Sequence, residues 1–332
     1  MTAFIGRRIL FIAPRFFGYE RDIVNELRRR GAAVDILPDR PFDTPFMKAV
    51  TRFSRKWVIP AADRFYRREL ERLGRSSYDL IFVVNGQTLS GKTLGLLRSS
   101  FQRAKFILYV WDSFDNRRSI VDNLRYFDDC YSFDRAGAEN YGLKFRPLFF
   151  SPGFEQQAGE DYDYDLSFIG TAHTDRYEII SRVAGLLKPH HRFYRYLYLQ
   201  APWVYYAFWI TNASFHQAKI GDFHFNPLAS SEVQRVFFAS RAILDIEHPK
   251  QTGLTIRTLE TLGASRKLIT TNIRVREYDF FTPGNICVID RRSPIIPSAF
   301  LETAYQPIDP KLYRKYSLAG WLDEILSGWT NK

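Results

Sequence analysis

Asp112 is the first residue in this chain whose position invites chemistry. It follows the apolar run Phe106 to Val110 and opens the segment Trp111-Asp112-Ser113-Phe114-Asp115-Asn116. An aspartate directly after a buried parallel strand points out of the carboxyl edge of its sheet. A partly buried carboxylate there can take the proton of an attacking hydroxyl. The same residue type also serves as a helix N-cap, and one side chain can do both. Glu20 is the second candidate base. With Phe16 and Gly18 it stands in the loop between the strand Arg8 to Ala13 and a helix starting near Tyr19, facing any cleft at that edge.

A different chemistry is suggested by Gly86 to Thr93, which matches G-x-x-x-x-G-K-T after the strand Tyr78 to Val84, with Asp112 in the place of a Walker B aspartate. A phosphate cradle needs successive backbone N–H groups turned inward, usually in a loop of small residues. Gln87, Thr88 and Leu89 are bulky, no further glycine interrupts them, and the motif follows the third strand rather than the first. The match therefore reads as a decoy, with Asn85 and Gly86 as a loop end and Lys92 on a surface helix. A phosphotransferase built on Lys92, Thr93 and Asp112 is the rival it leaves open.

The densest candidate stretch is Lys250 to Asp279. Arg241 to Glu247 reads as a buried strand and Gln251-Thr252-Gly253 as a turn. Leu254, Ile256, Leu259 and Leu262 form a helical stripe that stops at Gly263, and Lys267 to Thr271 is the next strand. This strand–loop–helix–strand unit puts the backbone N–H groups of Thr252, Gly253, Leu254 and Thr255 at the carboxyl edge of a sheet. Unpaired donors and the helix dipole bind anions there. Lys250 and Arg257 would add positive charge.

Gly253 to Ala264, Leu268 to Asn272, Tyr278-Asp279-Phe280 and Ile286 to Arg291 resemble the nucleotide-binding segment of GT-B glycosyltransferases. The resemblance is to the lipopolysaccharide-core, capsule and CgeB-like branch. It implies two Rossmann-like α/β domains facing a cleft, with a C-terminal helix that crosses back to the first domain. It implies a nucleotide-sugar donor, a glycolipid or other glycan acceptor, and no cofactor or metal. Glu260 would hold the donor ribose. Many retaining members carry a second glutamate at the position that Thr252 occupies here, so a retaining outcome does not follow. Asp165 to His173 is similar to the first C-domain strand of these enzymes, whose following loop approaches the donor diphosphate. That makes Gly170, Thr171, His173 and Arg176 donor-side candidates. Trp111, Asp112 and Ser113 fall on the acceptor side, with Asn85, Gly86, Phe16 and Gly18.

Composition bounds the rest. At 332 residues, with 45% hydrophobic and 25% charged residues, the chain can build two α/β domains with their own cores. The expected layout is a first domain over 1–150, a linker over 151–164 rich in Pro, Gly, Gln and acid, a donor domain over 165–310 and terminal helices over 311–332. Trp321, Leu322, Ile325 and Leu326 supply the apolar face that packs back. Cys130 and Cys287 are the only cysteines, both in strand-like contexts, which fits a reducing compartment. No run of about 18 apolar residues occurs. Pro14 and Arg15 end the run Ile9 to Ala13 too early for a signal peptide. The expected location is cytoplasmic, with peripheral attachment to the inner membrane face.

The net charge of +11 calls for an anionic partner. Nine basic residues lie between Lys48 and Arg75, interleaved with Phe53, Trp57, Phe65 and Tyr66, in one or two helices broken at Pro60. They read as a solvated face or as a surface for anionic membrane, which attracts roughly 1 kcal/mol per basic residue brought close. Nucleic acid is not expected, because no nucleic-acid-binding motif accompanies the charge. A second unusual stretch, Lys188 to Leu228, crowds Tyr194, Tyr196, Tyr198, Trp203, Tyr205, Tyr206, Phe208 and Trp209 together. Core of an inserted helical pair, a sugar-stacking surface and an interfacial patch are its three readings. His190, His191, His216 and His224 lack metal-ligand spacing, so no metal site is expected. A nucleotide- or sugar-binding scaffold without turnover is the non-catalytic alternative.

Overall fold

The computed structural model of the protein describes residues 4–41, 55–74, 77–114, 118–155, 162–173, 175–249 and 251–330. Two runs of short apolar strands decide its architecture. β1 (Arg8–Ala13), β2 (Ala33–Pro38), β3 (Leu80–Val84), β4 (Lys105–Val110), β5 (Asp129–Ser132) and β6 (Lys144–Phe145) form a parallel sheet in the order β2-β1-β3-β4-β5-β6. β7 (Tyr164–Thr171), β8 (Phe193–Tyr198), β9 (Phe223–His224), β10 (Ser240–Asp245), β11 (Lys267–Thr270) and β12 (Ile286–Val288) form another, ordered β12-β11-β10-β7-β8-β9. Central strands such as Leu80–Val84 are apolar throughout because helices cover both faces of a parallel sheet.

Each sheet reverses its winding once, between β1 and β3 in the first and between β7 and β10 in the second. At such a switch point the loops leaving adjacent strands part in opposite directions and open a crevice at the carboxyl edge. The residues positioned there are loops 14–18 and 85–90 in one sheet, and 172–173, 175, 246–249 and 251–255 in the other.

The chain divides into two compact units, Met1–Leu148 with Leu318–Lys332, and Phe149–Ser317. The two terminal helices therefore part company, where the sequence suggested that both pack back. Pro310–Tyr316 stays with the second unit, because the Tyr313 hydroxyl donates to the Gly263 carbonyl at 2.8 Å and Tyr316 donates to Asp279 at 2.5 Å. Leu318–Thr330 closes the first unit. Its Trp321 is fully buried, 4.7 Å from the Tyr109 ring and 6.0 Å from Phe82. Arg30 ties the same helix down through Asp323 at 2.7 Å and the Ala319 carbonyl at 2.8 Å.

Two expectations are corrected. Pro60 does not break the basic segment but lies inside one helix, Arg55–Leu73. Its missing N–H is outweighed by the buried stripe Val58, Ala62, Tyr66 and Leu70. Tyr66 accordingly leaves the basic surface for the core, where its hydroxyl donates to the Pro38 carbonyl at 2.9 Å. Lys48, Arg52 and Arg75 lie outside the described residues. The aromatic stretch is not a helical pair but a strand, the helix Pro202–Thr211, and a second strand, continuing the sheet from β8 to β9. Cys130 and Cys287 are free thiols, pushed up to about 12 and about 11 by burial.

Candidate functional site

The second unit carries the richer of the two switch points. Arg176, at the start of the helix Arg176–Leu186, reaches across the carboxyl edge. Its Nε donates to the Ile246 carbonyl at 2.8 Å and its Nη1 to the Thr171 carbonyl at 3.0 Å, joining the loops that follow β7 and β10. A Cβ at Gly170 would crowd the Phe168 ring at 3.0 Å and would meet Arg176 Nη1 at 3.6 Å, an ordinary contact. The His173 ring meets that of His248 at 5.6 Å across the same point. Burial, with the positive charge of Arg176 and then His248 beside it, lowers the His173 imidazole to about 4. Burial also lowers Arg176 from the ordinary guanidinium value; Arg257 and Arg291 push in the same direction, against Asp245 and Glu247.

A network missed in the sequence stands next to it. Arg291, after β12, grips Asp175 through Nε at 3.0 Å and Nη2 at 2.9 Å and reaches Glu247 through Nη1 at 2.6 Å. Thr271 donates to the same Glu247 carboxylate. Burial raises the Glu247 carboxyl above its usual range, a shift that the Thr271 hydrogen bond and Arg291 oppose. The residues arrive from four separate loops, so no local spacing announces them. Only their shared place after strand ends could have.

Between these groups runs the loop 251–255. Asn272 holds it, donating to the Gly253 carbonyl at 3.2 Å. Thr255 caps the helix Ile256–Gly263 by accepting from the Thr258 N–H at 3.2 Å. Both threonine hydroxyls donate to Asp245, at 2.5 Å and 2.8 Å. Among the described residues, the backbone N–H groups of Thr252, Gly253 and Leu254 have no protein acceptor. Thr252 Oγ1 and Arg257 Nη1 are likewise buried without a hydrogen-bond partner. Five donor-bearing groups thus converge on one short segment. The Arg257 guanidinium carbon lies over the Phe237 ring at 5.3 Å, a cation–π contact. Glu260, on the same helix, is only 3% exposed and is not open to solvent. Lys250 lies outside the described residues.

The first unit brings its candidates together on its own carboxyl edge. Asn85 adopts a left-handed conformation (φ 63°), and its side chain accepts the Trp111 N–H at 3.0 Å, locking the loop after β3 to the loop after β4. Gly86 follows in the same left-handed region. Asp112 is half-buried and accepts the Ser113 N–H at 2.9 Å. The Phe16 ring packs 5.8 Å from Trp111, and Glu20 accepts the Phe16 N–H at 3.0 Å just after Gly18, itself left-handed at φ 90°. A cavity of about 190 Å3 lies at this edge, lined by Arg15, Pro38, Arg40 and Pro41.

The phosphate-loop look-alike is filled by the protein itself. Ser90 caps the helix Gly91–Ser100, and the Asp63 carboxylate accepts from Ser90 Oγ at 2.5 Å and Thr93 Oγ1 at 2.7 Å. Gln87, Thr88 and Leu89 are buried, Asn123 donates to the Leu89 carbonyl at 2.8 Å, and Lys92 is exposed. The hydroxyls that a phosphate-loop ligand would engage are already given to a carboxylate. Among the described residues no three His, Cys, Asp or Glu side chains form a metal-binding cluster, and no helix is long and apolar enough to cross a membrane.

No protein-family model matches the sequence, and no curated protein matches it. Solved structures do. HepE of Anabaena, in complex with UDP-glucose, superposes with a TM-score of 0.58 at 11% identity, over 98% of this chain and 100% of that one. The catalytic domain of starch synthase IV from Arabidopsis thaliana, bound to ADP and acarbose, does so at 0.57 and 11%, over 98% and 100%. A glycosyltransferase from Rickettsia africae follows at 0.54 and 12%, over 98% of each chain. The fold is GT-B.

Proposed function

We propose that this GT-B protein is a glycosyltransferase that moves a sugar from a nucleotide-sugar donor to a glycan or glycolipid acceptor. The observation that carries the reading is the cluster of unpartnered donors at 252–257, set beside His173 and Arg176 at the switch point of the second sheet. Buried donors without acceptors are rare in proteins unless a ligand completes them. A diphosphate supplies the missing acceptors and matches the surrounding positive charge. As the bond from the sugar to the nucleoside diphosphate breaks, negative charge grows on the leaving oxygen, and Arg257 and the 252–254 amides would stabilise it. Lys250 would add to that charge, and Glu260, 3% exposed in the free protein, would have to be uncovered to take the donor ribose. Asp112 is the proposed base for the acceptor hydroxyl, with Glu20 second. Turnover without a divalent ion is expected, since guanidinium and backbone donors neutralise the leaving group. Phe16, Gly18, Asn85, Gly86, Trp111 and Ser113 would line the acceptor side. Arg15 and Arg40 favour an acceptor bearing phosphate or carboxylate, in keeping with a lipopolysaccharide or capsular chain. The exposed arginines of Arg55–Leu73 would suit an anionic cytoplasmic membrane face.

Isothermal titration with UDP, GDP, dTDP, CMP and ATP tests the donor half. A nucleoside diphosphate should bind with EDTA present, and Asp112→Asn should retain that binding while losing about 100-fold or more in transfer rate. Magnesium-dependent ATP binding that Lys92→Ala abolishes and Arg257→Ala leaves intact would sink the reading. Tight binding with neither transfer nor donor hydrolysis would point to a scaffold.

A further inference from the structure

The helix Pro202–Thr211 carries no charged side chain along its whole length. Its inner face is ordinary core. Val204 and Tyr205 are buried, and the Tyr205 hydroxyl donates to the Ala218 carbonyl at 2.8 Å. Its outer face is not. Trp203 is 71% exposed, Tyr206 57%, Trp209 46% and Ile210 75%, at spacings that place Trp203, Tyr206 and Ile210 on one side of the helix. The next turn adds Ile220, 38% exposed, and the exposed Lys219, while His216 packs 5.1 Å from the Trp209 ring. Core packing explains half of this aromatic stretch and leaves the other half in solvent, where contiguous apolar area is uncommon and marks an interaction site.

We infer that this face inserts into the headgroup–acyl boundary of a lipid bilayer carrying anionic lipid. Three features select that occupant. Trp and Tyr with two Ile, rather than a Leu- or Val-rich seam, is the composition that settles at a membrane–water interface, where an apolar ring body meets a polar tip. A helix of this length, about 15 Å, is too short to span but long enough to lie flat. The polar groups on offer are the Trp203 and Trp209 indole N–H groups and the Tyr206 hydroxyl, none of which has a protein partner among the described residues. With the Lys219 ammonium they are donors, and lipid phosphates and esters supply acceptor oxygens in excess. The Asp222 carboxylate, itself exposed, is engaged by the Lys219 N–H at 2.9 Å and the Tyr177 hydroxyl at 3.3 Å. The inference rests on this helix alone and does not depend on donor chemistry.

Vesicle flotation of the full chain tests it, using phosphatidylcholine with and without phosphatidylglycerol and, in parallel, lipids brominated in the acyl chain. The protein should float with the mixed vesicles, and bromine should quench its tryptophan emission. Trp203→Ala should weaken partitioning about 10-fold, and Trp203→Ala with Ile210→Ala further still, with circular dichroism and Tm unchanged because both side chains are solvent-exposed. Charge reversal of Arg64, Arg67 and Arg68 serves as the comparison for the basic helix. Absence of flotation, or flotation indifferent to the Trp203 and Ile210 variants, overturns the inference. So does a concentration-dependent dimer that Trp203→Ala dissolves, which would make a second copy the occupant. Quenching by soluble oligosaccharide in place of vesicles would make the face a sugar platform and overturn it equally.

Discussion

Two helix N-termini in this protein look alike on paper and differ in what surrounds them. Ser90-Gly-Lys-Thr93 and Thr255-Ile-Arg-Thr258 each follow a buried parallel strand, and each caps its helix with a hydroxyl. Each places a threonine at the third helical position, and each gives both hydroxyls to one aspartate, Asp63 or Asp245. Only the first matches a phosphate-binding pattern in sequence. Yet its loop is packed with buried side chains whose hydrogen bonds are internal, and its lysine points to solvent. The second matches no such pattern, and beside it lie unpartnered amides, an unpartnered hydroxyl and a guanidinium nitrogen without an acceptor. A capped helix end is common structural equipment. What distinguishes a binding site is the set of donors left over once the cap is made.

The comparison can be broken most decisively at Arg257. Arg257→Ala should weaken nucleoside-diphosphate binding by about 10- to 100-fold, the range expected for losing a charged hydrogen bond. Calorimetry showing unchanged affinity would strip the second terminus of its distinction. Next in size are the two aspartates. Asp63→Ala and Asp245→Ala each strand two hydroxyls, one of them on a buried threonine (Thr93 or Thr258), and should each cost about 1–3 kcal/mol, read as a lowered midpoint in thermal or urea unfolding. If one were silent, the two caps would not be equivalent.

A smaller effect concerns protons. The folded His173 imidazole sits at about 4, below its ordinary value of 6.5, so it is neutral at pH 7 in the folded and unfolded states alike. Its contribution to stability is complete above pH 6.5 and is lost as pH falls through about 4, because the unfolded chain takes up the proton first. A diphosphate placed beside the ring would raise that value. Binding would then take up protons and tighten as pH falls from about 6.5 towards 4. Titration in two buffers of different ionisation heat reads the uptake, and His173→Gln should abolish it. An NMR titration that finds the free imidazole near 6.5 would remove the basis for this. The smallest expected change is Lys92→Ala, which should leave nucleotide affinity and stability within error.

The sequence made much of this legible where the signal was local. The strands around Leu80–Val84 and Lys105–Val110, the stop at Gly31, the unit from Arg241 to Thr271 and the apolar stripe on Leu318–Thr330 all show in hydrophobic period and turn residues. What escaped was assembled from afar. Asp63 comes from a preceding helix to meet Ser90, and Arg291 closes on Asp175 and Glu247 from the end of the sheet. Helix continuity through Pro60 depended on a buried stripe whose partners lie elsewhere in the chain. The aromatic stretch misled for the same reason: alternation in Phe193–Tyr198 marks a strand, but the crowd of rings that follows hides its end.

The buried Trp321 has a consequence for biosynthesis. The first unit borrows its last helix from the far end of the chain, so its sheet cannot be sealed while the ribosome is still translating Phe149–Ser317. Until Leu318–Thr330 emerges, Phe82 and Tyr109 lack the Trp321 ring that packs against them. The unit encoded second can be completed first, and the nascent first half must wait with exposed apolar surface, the condition under which chains recruit chaperones or aggregate. A stop codon before Leu318 would therefore cost far more than its few residues suggest. It would orphan the half of the protein translated earliest.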